Sequence, residues 1–109
     1  MSPSGDWGDV TFAKKLEKMT LETILKSPTV SIVDVRTPAE FMGGHVVDSV
    51  NIPLNEVPEQ IEAFKNMAKP IVLICASGMR SAQATQFLAA QGVEQCYNCG
   101  SWLVVNGVV

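Results

Sequence analysis

The 109-residue chain has a single histidine, His45, and only three cysteines, Cys75, Cys96 and Cys99. One imidazole excludes a metal site built on two histidines, and a small, odd cysteine count argues against a disulfide framework. Basic residues are scarce: eight Lys and Arg stand against eleven Asp and Glu, a formal net charge of −3. Such a balance offers no positive field for nucleic acid, and an anionic substrate must be drawn by a local site. No uncharged apolar run approaches the ~18 residues of a membrane span. The opening residues, MSPSGDWG, carry neither the basic nor the apolar region of a secretory signal. Internal repeats, linkers and low-complexity tracts are also missing. What is abundant is apolar, at 47% of residues, which suits one hydrophobic core and excludes a disordered chain. The expectation is one domain over residues 1–109, with 1–9 a mobile polar lead-in and no nucleic-acid or membrane partner.

The pattern of elements is mixed. Leu16, Met19, Thr20, Ile24 and Leu25 form a loose helical stripe that Ser27-Pro28 ends. Val30 to Val35 reads as a buried strand. Thr37-Pro38-Ala39-Glu40 then opens a short helix, with Thr37 as N-cap, Pro38 in the first turn and Glu40 placed for a capping box. Gly43-Gly44 stops it. A short strand over Val50 to Ile52 ends at Pro53, and Ile61, Phe64, Lys65 and Ala68 suggest an amphipathic helix. Met79 to Gln91 is the clearest helix, with Ala82, Phe87, Leu88 and Ala89 expected inward and Gly92 at its end. Glu94 to Asn98 reads as a last strand. Alternating strands and helices predict an α/β domain on a mainly parallel sheet flanked by helices on both faces.

One segment carries the chemistry. Ile71-Val72-Leu73-Ile74 is a run buried on both sides of a sheet, Cys75 closes it, and Gly78, Arg80 and Ser81 lead into the long helix. The carboxyl end of a parallel strand is where such sheets place ligands. Backbone N–H groups of the loop and of the helix start form an anion-binding concavity that favours a thiolate. An ordinary thiol of pKa ~8.5 is only about 3% ionised at pH 7, so a nucleophile needs that help. Cysteine also serves as a buried core residue, but the glycine, the arginine and the strand–helix setting point to a nucleophile.

The Cys-x-x-Gly-x-Arg-Ser spacing over Cys75 to Ser81 resembles the active-site loop of single-domain members of the rhodanese family of sulfurtransferases. Upstream, Asp34-Val35-Arg36, Glu40-Phe41, Gly44-His45 and Asn51-Ile52-Pro53 are similar to that family's first signature. Downstream, Tyr97-Asn98-Cys99-Gly100-Ser101-Trp102 resembles its closing stretch, and the matches together run from about Val30 to Trp102. The resemblance implies a rhodanese-like fold. It also implies sulfane-sulfur transfer from thiosulfate, a persulfide or a polysulfide to a thiol or cyanide, through a persulfide on Cys75. In that reading Ala76, Ser77, Gly78, Met79 and Arg80 cradle the substrate sulfur, with Arg80 as a fixed charge for a donor oxyanion or as a brace of the loop. No cofactor or metal is required, because the cysteine is the carrier. Related phosphatases have five residues between cysteine and arginine where this chain has four, which disfavours phosphate as the ligand.

Other residues receive structural readings. His45 braces the loop after the short helix. Asp34 and Arg36 pair with each other or with Glu40 beneath the loop, Arg36 being a secondary candidate for the pocket mouth. Cys96 and Cys99, three apart on an extended segment, face opposite sides and belong to packing, with a resolving role for oxidised Cys75 as the alternative. Ala76 and Ser77 match neither the basic loop of thiosulfate users nor the uncharged loop of mercaptopyruvate users, so the donor stays open. A protein-persulfide carrier or a non-enzymatic interaction module is the alternative function. A protein sulfur donor or acceptor is a conceivable partner, and a cytoplasmic monomer is expected, since a working thiol needs a reducing compartment.

Overall fold

Among the described residues, four strands, β1 (Ser31–Asp34), β2 (Val50–Asn51), β3 (Ile71–Cys75) and β4 (Cys96–Ser101), hydrogen-bond in the order β2-β1-β3-β4, all in parallel. In chain order the elements are β1 (Ser31–Asp34), α1 (Pro38–Met42), β2 (Val50–Asn51), a 3-10 helix (Leu54–Gln60), α2 (Ile61–Asn66), β3 (Ile71–Cys75), α3 (Met79–Ala90), β4 (Cys96–Ser101) and α4 (Trp102–Val108). The structure is a computed structural model that describes residues 21–109; residues 21–25, ahead of β1, are helical. The expected lead-in and the helical residues Leu16, Met19 and Thr20 lie outside the described residues. Among the described residues no helix is long and apolar enough to cross a membrane.

The strand period of two sorts the core into two layers. Ile71, Leu73 and Cys75 of β3 join Val33 and Val35 against Val57, Phe64, Ala84 and Leu88. Val72 and Ile74 join Ile32 on the other face, against Leu21, Val46 and Val105. All five residues of β3 are buried, as its unbroken apolar run requires when helices cover both faces. The sheet is therefore flanked on both sides, as expected.

Several elements depart from the sequence expectation. In α3 the buried positions are Ser81, Ala84 and Leu88, while Ala82 is half-buried and Ala89 exposed. The inward arc follows the spacing 81, 84, 88, and its first place is held by a polar residue because that residue serves the cysteine. The last strand runs from Cys96 to Ser101 rather than from Glu94 to Asn98, because Gln95, with φ 57°, bends the chain just before it. Two short helices were not anticipated: the 3-10 segment, which contains Pro58, and α4, whose Val-Val-Asn-Gly run has poor helix propensity. Packing of Trp102, Val105 and Val108 on the second face, with Ser101 as N-cap, overrides that propensity.

The capping box at α1 forms as read: Thr37 Oγ1 accepts from the Glu40 N–H, and the Glu40 carboxylate accepts from the Thr37 N–H. Asp34 and Arg36 pair with each other. The Arg36 guanidinium donates to both Asp34 oxygens at 2.7–3.0 Å and to the Gly44 carbonyl at 2.7 Å, and lies 4.5 Å above the Trp102 ring. A side chain at Gly44 would meet Trp102 at 3.2 Å, so this approach needs glycine. Both members of the pair are buried. Removing one leaves a buried charge uncompensated, so Asp34→Asn should lower stability by about 3–5 kcal/mol, read from the urea midpoint.

Candidate functional site

Cys75 ends β3, and Gly78 precedes α3 with φ 96°, a left-handed conformation that only glycine adopts without strain. A Cβ at Gly78 would also meet Gly100 Cα at 3.2 Å. The turn folds the loop back over its own cysteine. The Gly78 N–H donates to Cys75 Sγ at 2.9 Å and the Ser81 N–H at 3.4 Å, with Ser81 Oγ also 3.4 Å from the sulfur. Burial works against ionisation of this thiol. The Ser81 hydroxyl and N–H, with the Gly78 and Ser77 N–H groups, favour the thiolate and prevail, holding the thiol below its ordinary value.

Cys75 itself has no exposed surface, whereas Ala76, Ser77 and Met79 are exposed and Gly78 and Arg80 are half-buried. The loop is thus a thin roof over the sulfur. Arg80 does not point its charge freely into that roof. Its guanidinium grips Glu40 of α1 with two bonds, 2.7 and 3.1 Å. Hydrogen bonding to Arg80 and to the Thr37 N–H pulls the Glu40 carboxyl down to about 2, and Glu40 in turn raises the Arg80 pKa. Glu40 therefore caps α1 and anchors the loop at once.

Two residues that the sequence reading left out of the site belong to it. Asn98 accepts from Ser81 Oγ at 2.6 Å and from the Gly100 N–H at 3.1 Å, and donates to the Gly78 carbonyl at 3.3 Å. Ser81 stands between Asn98 and the sulfur. Both lie in the quoted motifs, at the end of the cysteine loop and inside Tyr97-Asn98. What sequence lacks is the register that brings β4 against the loop. His45 is exposed, stacks on Phe41 at 3.8 Å and bonds the Phe41 carbonyl through Nδ1 at 2.8 Å, a brace at the end of α1.

Cys96 and Cys99 go to opposite faces, Cys96 against the first core layer and Cys99 against the second. Cys96 pairs with Ile71 at the far end of β3 from Cys75. Burial raises the thiol pKa of both, that of Cys99 to about 11, so neither shares the activation of Cys75.

Residues 17–102 match the family model for the rhodanese-like domain. The chain is similar to the thiosulfate sulfurtransferase GlpE of Shewanella oneidensis, 31% identical over 78% of this chain and 83% of the relative. It is also similar to the uncharacterized protein slr1261 of Synechocystis, 39% identical over 79% of this chain and 45% of the relative. The chain spans about half the length of slr1261. A solved rhodanese-like domain protein from Staphylococcus aureus superposes with a TM-score of 0.68 at 32% identity, covering 83% of this chain and 87% of that one. With the family model spanning most of the chain and the cysteine at its strand–helix junction, the chain belongs to the rhodanese-like family.

Proposed function

We propose that this chain is a sulfurtransferase working by double displacement at Cys75, in a reducing compartment such as the cytoplasm. The observation that carries the reading is the sulfur at the head of α3, receiving two backbone N–H groups and facing the Ser81 hydroxyl. The Cys75 thiolate attacks the outer sulfur of a donor. With thiosulfate, a new S–S bond forms on Cys75, the donor S–S bond breaks and sulfite leaves. Cyanide or a thiolate then takes the outer sulfur and Cys75 leaves as thiolate. A lowered thiol pKa serves both halves, since it populates the nucleophile and improves the leaving group. The outer sulfur would lie among the N–H groups of residues 76–80. Because Cys75 has no exposed surface, the roof of the loop must yield as the donor sulfur enters, which favours end-on approach of a single terminal atom.

Ser81 has one hydroxyl proton and three competing acceptors, Asn98 Oδ1 at 2.6 Å, the Gly78 carbonyl at 3.2 Å and Sγ at 3.4 Å. While Cys75 is a thiol, its S–H donates to Ser81 and the hydroxyl donates to Asn98. On ionisation the hydroxyl proton turns towards the sulfur, and Asn98 keeps its Gly100 N–H. Ser81 thereby exchanges one partner for the other without leaving any polar group bare.

Cys75→Ser should abolish sulfur transfer with the fold intact, because a hydroxyl is a poor nucleophile at neutral pH. Activity beyond a trace would remove Cys75 from the mechanism. Loading is checked directly by mass spectrometry, as a gain of one sulfur atom on Cys75 after donor exposure. Ser81→Ala removes a group that favours the charged form, so the pH midpoint for alkylation of Cys75 should rise, by about one unit or 1.4 kcal/mol. An unmoved midpoint would leave the backbone N–H groups as the whole source of activation. Replacing both Cys96 and Cys99 with alanine should leave initial turnover close to wild type, and its loss in a folded double variant would reveal a relay thiol.

A further inference from the structure

The loop carries one cation, and that cation is already paired. Arg80 is held by two hydrogen bonds to Glu40, whose carboxyl titrates near 2 and so keeps its negative charge throughout the neutral range. Arg36, the other arginine at this end of the sheet, is held by Asp34. No second cation stands in the loop from Ala76 to Ser81, and the whole chain is acidic. Two apolar side chains close to the pair in sequence stand in solvent. Met42, two residues after Glu40, is 82% exposed, and Met79, next to Arg80, is 72% exposed.

A dianion approaching such a site meets a carboxylate beside every guanidinium, and the exposed Met79 of the loop returns nothing for the water it sheds. A donor with less charge and an apolar body loses less and gains contact with flexible methionines, which adapt to varied shapes. Resting on the sulfurtransferase reading above, we infer that Glu40 determines donor specificity. By holding Arg80 it leaves the mouth over Cys75 without net positive charge, and the site takes sulfane sulfur from weakly charged organic donors, persulfides and thiosulfonates, ahead of thiosulfate.

The transfer step balances for these donors. With an organic hydropersulfide, the Cys75 thiolate bonds to the outer sulfur, the donor S–S bond breaks, the carrier leaves as its thiolate, and the proton stays on the transferred sulfur. With a thiosulfonate the leaving group is the sulfinate, and the negative charge stays on the new persulfide. Neither step needs an oxidant or a reductant.

Glu40→Gln is the informative variant. Glutamine at this position still accepts from the Thr37 N–H as a capping-box residue, so α1 is kept, while Arg80 loses its counter-charge. The probes are thiosulfate and benzenethiosulfonate, a monoanion with an apolar ring, with cyanide as acceptor. Comparing each donor between the two proteins cancels the donors' different intrinsic reactivities. The variant should raise kcat/KM for thiosulfate about tenfold, chiefly through KM, and change that for benzenethiosulfonate less than about threefold. In the wild type, added salt should not depress the thiosulfate rate, whereas in the variant it should. An unchanged ratio between donors in the folded variant, or a joint loss with both, would make Glu40 a brace of the loop and overturn the inference. Strong salt inhibition of the wild type with thiosulfate would overturn it without any variant. Failure of both donors to load Cys75 in the wild type would instead bring down the sulfurtransferase reading, and this inference with it.

Discussion

The site depends on one irregularity in the sheet. Leu73 of β3 is opposite Asn98 of β4, but Cys75 is opposite Ser101, so β4 uses one residue more than β3 over this stretch. The extra residue bends the strand at Gly100, which has φ 80°. The bend lets Gly100 pass close to Gly78, while Asn98, just ahead of it, meets Ser81 and the Gly78 carbonyl. Asn98 itself lies in the regular part of the ladder opposite Leu73, so the pleat already turns it to the face that holds Cys75. Bulge and pleat together tie the loop to the next strand, the first through Gly100 and the second through Asn98.

Two ion pairs stand at the same end of the sheet and do different work. Asp34–Arg36 is buried, stacked on Trp102 and tied to Gly44, and the Asn51 side chain donates to the carbonyls of both residues. It locks β1, β2 and α4 into one unit, and its value lies in leaving no buried charge unmatched. Glu40–Arg80 is about one-third exposed at each partner, and so is worth little as a source of stability. Its consequence is positional and electrostatic: it joins α1 to the cysteine loop and cancels the one charge there.

Much of this was legible in the sequence where the signal is local. The strand run before Cys75, the glycine turn, the capping box at Thr37 and the Asp34–Arg36 proximity are all set by near neighbours, and the structure has each of them. The fold class followed from the same alternation. The part that was not legible is long-range. Glu40 read as a capping residue, and nothing within α1 says that it also meets a side chain forty positions later. Asn98 and Ser81 are common polar residues whose roles exist only once β4 lies beside β3. The helix at Trp102–Val108 and the burial of Ser81 fail for a related reason, since tertiary packing overrules local propensity and a site residue breaks the apolar period.

The separation between these two arrangements bears on how the cysteine is activated. A thiolate under a dry roof can be stabilised by a nearby cation or by hydrogen bonds aimed at it. In this site the groups that favour the thiolate against the burial penalty are hydrogen-bond donors: the Ser81 hydroxyl and the N–H groups of Ser81, Gly78 and Ser77. Backbone donors of this kind are fixed by the turn and carry no net charge. The nucleophile thus relies mainly on the loop's backbone and on Ser81, and the arginine is left to join helix to loop. The charge at the mouth is a secondary contribution to the floor: Arg80 and the Cys75 sulfur still feel each other's charge, but the hydrogen bonds lead. The two arrangements thus rest on different residues, Glu40 with Arg80 at the mouth and Gly78 with Ser81 around the sulfur.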